Sequence, residues 1–170
     1  MKEKLIKAPF LELIMKLGLI APTFSLPDMN DKEVSLQDFK GKWVVLYFYP
    51  KDDTPGCTIE AIDFSGLQKE FAKVGAVILG ISPDSEKSHC RFIEKHSLNI
   101  ILLSDPGKKV LQQYKVWGKK KFMGREYMGV LRTTFLIDPK GKIQQVWENV
   151  SVKGHAQEVL DTLLKSKNKI

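Results

Sequence analysis

The sequence predicts a single α/β domain in which helices flank a mixed sheet, and three observations lead there. Two short runs, W-V-V-L-Y-F-Y (43–49) and A-V-I-L-G-I-S (76–82), are wholly apolar or small and rich in β-favouring residues, as strands buried on both faces are. Between and after them, apolar residues recur at helical spacing. The chain has 170 residues, the length of one compact domain, with no internal repeat and no linker.

The elements follow in order. Residues 1–17, M-K-E-K-L-I-K-A-P-F-L-E-L-I-M-K-L, read as an amphipathic arm or helix and not as a secretion signal. Glu12 and Lys16 interrupt the apolar run, and no small-x-small cleavage site follows. The main domain then spans 18–170. F-S-L-P-D-M-N-D-K-E-V-S-L gives two short strands around a polar turn at Asp28, Asn30 and Asp31, an N-terminal hairpin. After the first buried strand, Ile59, Ile62, Leu67, Phe71 and Val74 mark a helix from Thr58 to about Val74. After the second, a helix runs from Ser85 to about His96, with Asp84 or Ser85 as its cap. Strands are expected at N-I-I-L-L-S-D, T-T-F-L-I-D and I-Q-Q-V-W, the last two joined by the turn P-K-G-K. A final helix from His155 to about Lys165 is expected to bury Val159, Leu160, Leu163 and Leu164. Strands alternating with helices and closing on a strand pair and a helix fit a thioredoxin-like fold better than a doubly wound one.

Composition narrows the function classes. No stretch has the ~18 uninterrupted apolar residues of a membrane span, so a soluble, cytoplasmic protein without membrane contact is expected. The net charge of +7 comes from 27 basic and 20 acidic residues, dispersed except at Lys119–Lys121 and in the tail K-S-K-N-K. No helix-turn-helix, zinc-finger or RNA-binding signature accompanies them, so the charge reads as solvated surface and no nucleic-acid partner is expected. Two cysteines, Cys57 and Cys90, cannot form a disulfide framework.

The stretch P-K-D-D-T-P-G-C (50–57) is the most informative in the chain. Pro50 has no N–H for a strand ladder and stops the buried run. Thr54-Pro55-Gly56 turns the chain, and a helix starts close to Cys57. A sulfur in a first helical turn meets unpaired N–H groups and the positive end of the dipole, which favour the nucleophilic thiolate. The hydroxyl of Thr54, three residues earlier, is near enough to bond the thiolate or the group it attacks. Taken alone, a cysteine there could also be a small buried cap.

P-x-x-x-T-x-x-C, with Pro50, Thr54 and Cys57, resembles the active-site motif of the peroxiredoxins. The longer string Y-F-Y-P-K-D-D-T-P-G-C-T-x-E-A resembles the bacterioferritin comigratory protein, or peroxiredoxin Q, subfamily. A-P-x-F-S-L-P-D, D-F-K-G-K-W-V-V-L, G-I-S-P-D-S, L-L-S-D-P, V-W-G and R-T-T-F-L-I-D-P-K-G-K-I extend the resemblance from about Gly18 to the last helix. It implies a thioredoxin-like fold with peroxiredoxin additions and a peroxidase of hydrogen peroxide and organic hydroperoxides. Cys57 would be the peroxidatic cysteine, Arg132 the guanidinium beside it, Thr54 a partner of the peroxide, and Pro50 a shield against water. Glu60 matches the subfamily pattern and would orient a pocket group; equally, it is an acid in a first helical turn, favourable by itself. Without the resemblance, Arg132 reads as a surface ion-pair partner. Thioredoxin or a similar thiol is the implied reductant, and a monomer or weak dimer the implied assembly.

The departure from the subfamily pattern is Ile62. Many members carry a resolving cysteine five residues after the first, where this chain has an isoleucine suited to an apolar helix face. Cys90 is the only candidate within the chain, on the flank of the next helix, about 110° from its apolar centre at Phe92 and Ile93. It resolves Cys57 or is incidental, in an enzyme recycled by an external thiol. No cofactor is implied. A metal is not expected either: His89 and His96 would lie about 10.5 Å apart along a helix, and there is no C-x-x-C pair. The missing C-x-x-C also argues against the runner-up enzyme, a disulfide oxidoreductase. A non-catalytic thioredoxin-fold binding module is the other alternative, and it has no need to keep Thr54, Cys57 and Arg132 together.

Overall fold

The computed structural model describes residues 17–169, so the expected N-terminal arm, apart from Leu17, lies outside the described residues. Strands β1 (Ser25–Pro27) and β2 (Glu33–Ser35) form the expected hairpin, its turn tied by Asp28, whose Oδ1 accepts from the N–H groups of Asn30 (2.8 Å) and Lys32 (3.0 Å). Strand β3 (Trp43–Phe48) follows, then helices α1 (Pro55–Gly66) and α2 (Gln68–Lys73), β4 (Ala76–Ser82), α3 (Glu86–His96), β5 (Ile101–Ser104) and α4 (Lys109–Gln113). The chain continues through β6 (Trp117–Phe122), β7 (Arg125–Val130), β8 (Thr133–Ile137) and β9 (Ile143–Trp147) to α5 (His155–Asn168). The main sheet has the order β5-β4-β3-β8-β9, parallel on the β4–β5 side of β3 and antiparallel on the β8–β9 side. Among the described residues, no helix is long and apolar enough to cross a membrane.

Strand β3 explains the two-sided core. Every one of its residues is buried, and because side chains alternate, they divide between two clusters. Val44, Leu46 and Phe48 join Phe24, Leu26, Leu111, Tyr114 and Phe135 on one face. Trp43, Val45 and Tyr47 join Cys57, Phe64, Phe71, Phe92, Val159 and Leu163 on the other. The second face holds α1, α2, α3 and α5, so the candidate nucleophile sits at the inner wall of the helical layer.

Four expectations need correction. The helix placed from Thr58 to Val74 is two helices that meet at Leu67, and the first starts at Pro55. Within α1, Ile59 and Ile62 are 47% and 46% exposed, and the buried stripe is Cys57, Glu60, Ala61 and Phe64. Apolar periodicity gives the wrong face here because the buried stripe includes a carboxylate, Glu60, which a count of apolar residues passes over. In α5, Val159, Leu160 and Leu163 are buried as expected, but Leu164 points outward and is 40% exposed. His155, read as an ordinary polar residue, is buried instead, with Nε2 2.8 Å from the Thr134 hydroxyl; burial pushes its pKa down to about 4.

Strands β6 and β7 have no counterpart in the sequence reading. They pair only with each other, through a two-residue turn in which Met123 and Gly124 both have positive φ (51° and 79°). Residues 121–128 are exposed on both faces of this arm. With no buried face there is no alternation of apolar and polar residues, and W-G-K-K-K-F-M-G-R-E-Y-M-G-V carries no strand signal. Lys119–Lys121, read as solvated surface, lie on β6, and Lys120 turns back to donate to the Val130 carbonyl (3.0 Å).

Candidate active site

The candidate nucleophile is placed by a break between two elements. The Tyr49 N–H still pairs with the Ile81 carbonyl (3.1 Å), and Pro50, lacking an N–H, ends the ladder. Thr54, in extended conformation (φ −93°, ψ 157°), stands at the helix start with Pro55 in the first turn, where proline's fixed φ suits a helix. Cys57 is then in that first turn, as expected, and is 1% exposed.

Thr54 is the residue just before α1. Its hydroxyl donates to the Lys51 carbonyl (2.8 Å) and makes no cap to α1. A hydroxyl has one proton, so Thr54 is left to act as an acceptor. No side chain caps the first-turn N–H groups of α1.

Arg132 enters from the far side of the sequence, between β7 and β8. Its Nη2 donates to Cys57 Sγ (3.3 Å) and its Nη1 to Glu60 Oε1 (2.7 Å). The planar fork thus serves two groups one helical turn apart on α1. Gly56 makes room for it: a Cβ at that position would lie 3.3 Å from Nη2. Burial opposes the charge on Arg132, but the Glu60 and Cys57 charges beside it outweigh that and raise its pKa.

Glu60 is 1% exposed, and burial pushes its carboxyl up to about 7 although Arg132 opposes the shift. Its second oxygen, Oε2, is buried without a partner, as is the hydroxyl of Tyr47. Burial first, then the Glu60, Cys57 and Asp52 charges, raises the Tyr47 pKa, so this buried phenol stays protonated. Lys120 adds a second cation near the site. Burial and then Arg132 lower its pKa, while Cys57 works the other way.

The structure therefore brings together Cys57, Glu60 and Arg132 by direct contact, with Thr54 just before α1 and Pro50 just after β3. Cys90 lies apart from this group of contacts. It is half-buried on α3 with its thiol directed at Glu94 Oε1 (3.5 Å), and that hydrogen bond, followed by burial, raises its pKa. Both cysteines are free. Sequence reading missed Tyr47, hidden as one aromatic among several in an apolar strand, and Lys120, one lysine of three. Only the fold separates them from their neighbours.

A fast nucleophile needs a thiolate held by fixed donors in a site from which water is excluded. A buried sulfur beside a guanidinium, with an acceptor hydroxyl one turn away, meets that description. It suits attack on a small, weak, polarisable bond such as O–O.

Comparison with known proteins points the same way. The AhpC/TSA family model matches residues 17–146. A Helicobacter pylori protein called putative peroxiredoxin bcp is 50% identical over 149 residues, covering 88% of this chain and 98% of the relative. Peroxiredoxin Bcp of Bacillus subtilis is 48% identical over 151 residues, covering 89% and 96%. Among solved structures, the bacterioferritin comigratory protein of Xanthomonas campestris, studied for alkyl peroxide reduction, superposes with a TM-score of 0.80. It is 40% identical, and the match covers 84% of this chain and 91% of that one.

Proposed function

Because the chain belongs to the AhpC/TSA family and is a thiol-dependent peroxidase, we propose that Cys57 is the residue that attacks the peroxide. The observation that carries this is the single guanidinium of Arg132 shared between Cys57 and Glu60, with Gly56 clearing its path. The Cys57 thiolate attacks the terminal oxygen of a hydroperoxide. A sulfur–oxygen bond forms, the O–O bond breaks, and the leaving oxygen departs with the electron pair and takes a proton to become water or an alcohol. Sulfur loses two electrons and becomes a sulfenic acid.

The pocket groups divide the work. Arg132 holds the thiolate and stabilises charge as it moves onto the leaving oxygen. Thr54 accepts a hydrogen bond from the peroxide O–H, its own proton being held by Lys51. Pro50, half-buried just after β3, is the proposed shield against water. Glu60 orients the guanidinium. Hydrogen peroxide and organic hydroperoxides both present the terminal O–H this arrangement needs, and the Xanthomonas relative's alkyl peroxide activity supports the second class.

Cys90 is the proposed resolving thiol. It attacks the sulfenic sulfur, the oxygen leaves as water, and a Cys57–Cys90 disulfide forms. A thioredoxin-type dithiol then exchanges with that disulfide and restores both thiols. Such recycling fits a cytoplasmic location, where dithiol reductants keep thiols reduced. Replacing Cys57 by Ser should abolish peroxide turnover with a dithiol reductant; substantial remaining turnover would overturn the assignment.

A further inference from the structure

The loop that presents Thr54 and starts α1 is fastened to α3, and the fastening centres on a buried histidine with no part in the chemistry above. His89 is fully buried. Its Nδ1 lies 2.7 Å from Asp52 Oδ2, and its Nε2 lies 3.0 Å from the Leu103 carbonyl. Asp52 also accepts from the Tyr49 hydroxyl at Oδ1 (2.6 Å) and from the Ser88 hydroxyl at Oδ2 (2.7 Å), and its N–H donates to Asp84 Oδ2 (2.8 Å). The next residue, Asp53, has a positive φ of 59°, uncommon for a residue with a side chain. Lys95 (2.7 Å) and His96 (2.9 Å) of α3 grip its carboxylate.

Proton placement follows from the partners. A carbonyl oxygen only accepts, so Nε2 carries a proton. The other nitrogen faces a carboxylate that already receives two hydroxyl protons, and a bare Nδ1 at 2.7 Å would set lone pair against lone pair. Tyr49 cannot supply the missing proton, because its single one goes to Asp52 at 2.6 Å, against 3.3 Å to Nδ1. Burial above all, with the Asp52 charge beside it, keeps Tyr49 a neutral donor. Asp52, Asp84 and His89 have the spacing of metal ligands, within 4.8 Å of one another. Yet both ring nitrogens are occupied, and Asp84 Oδ2 already serves Asp52 and the Ser82 hydroxyl (2.7 Å).

We propose that His89, as a doubly protonated imidazolium, is a positioning residue that pins the active-site loop and so fixes Thr54 and the first turn of α1 against Arg132. The proposal rests on Cys57 as the attacking residue. The hydrogen bond from Nδ1 to Asp52, not ring packing, does the pinning, and this separates two close substitutions. His89→Asn keeps a donor at the Nδ1 position and can still reach Asp52. His89→Gln keeps a donor at the Nε2 position, bonds Leu103, and leaves Asp52 without its proton.

The test is the second-order rate of Cys57 oxidation by hydrogen peroxide, read by quenched alkylation and mass. His89→Gln and His89→Ala should react roughly 10- to 100-fold more slowly, the range a small misplacement of reacting groups produces. His89→Asn should stay within about threefold of wild type on the same scale. Equal rates in all variants would overturn the proposal, and so would equal losses in Asn and Gln, which would make the ring a packing residue only. If the variants do not fold, the nitrogen-15 spectrum of the wild-type protein decides. Two protonated ring nitrogens on His89 are expected, and a bare Nδ1 overturns the proposal. A Cys57→Ser protein that still consumes peroxide would remove the underlying reading. A dead Cys57→Ser beside a fast His89→Gln would remove the pin alone.

Discussion

The two cysteines stand in opposite electrostatic settings. Cys57 is buried in a first helical turn beside a guanidinium; Cys90 is half-buried in the body of a helix beside a carboxylate. The guanidinium suits Cys57 to the attacking role proposed for it, and the carboxylate beside Cys90 works against such a role there. The contrast is useful to a peroxidase. In the proposed cycle a Cys90 thiol whose pKa Glu94 raises does not compete for peroxide, and it meets Cys57 only after Cys57 has become electrophilic.

The largest way to break this contrast is to remove the cation. Arg132→Met should slow Cys57 oxidation by roughly 100-fold or more, the loss typical of a fixed donor in a water-poor site. Stopped-flow or competition kinetics with hydrogen peroxide would show it, and a loss under threefold would mean that the helix start alone prepares the sulfur. A smaller change sharpens the other side. Glu94→Gln removes the carboxylate from Cys90, so its alkylation at neutral pH should speed up several-fold while that of Cys57 stays the same.

Stability against pH gives a third probe, because titratable groups are buried around Cys57. The Glu60 carboxyl moves from 4.5 to about 7, so the folded state binds more protons than the unfolded one between those values. Stability is therefore lost as pH rises from 4.5 to 7, by about 3 kcal/mol at most. His155 acts oppositely. With its pKa lowered from 6.5 to about 4, it stabilises the fold above 6.5 and that contribution is lost as pH falls toward 4. The wild-type profile mixes the two, and the difference between Glu60→Gln and wild type isolates the first. That difference, from denaturant titrations, should grow in favour of the variant from pH 4.5 to 7 and then level off; a flat difference would contradict the buried-acid reading.

How far the sequence reaches is set by the distance over which each feature is encoded. The setting of Cys57 is local: a strand that stops at proline, a turn, a helix that starts, all within residues 50–57, and the sheet of buried strands is equally legible. Arg132, 75 residues away, came only through the family resemblance. Ile62 was read as suited to the apolar face and is exposed, and Glu60 was left between two roles, because a carboxylate is buried only when another element brings it an arginine. His89 was weighed only as a metal ligand. Its partner Asp52 lies 37 residues away, and no spacing rule connects them. The β6–β7 arm left no pattern at all, since a ribbon exposed on both faces has none to leave.

The division of labour between the two cysteines is tested most directly by mass after one equivalent of hydrogen peroxide, with peptide mapping, in wild-type protein and in Cys90→Ser. The account predicts loss of two protons and a Cys57–Cys90 disulfide in the wild type, and one added oxygen on Cys57 in the variant. Oxygen appearing on Cys90 while Cys57 remains a free thiol would contradict it.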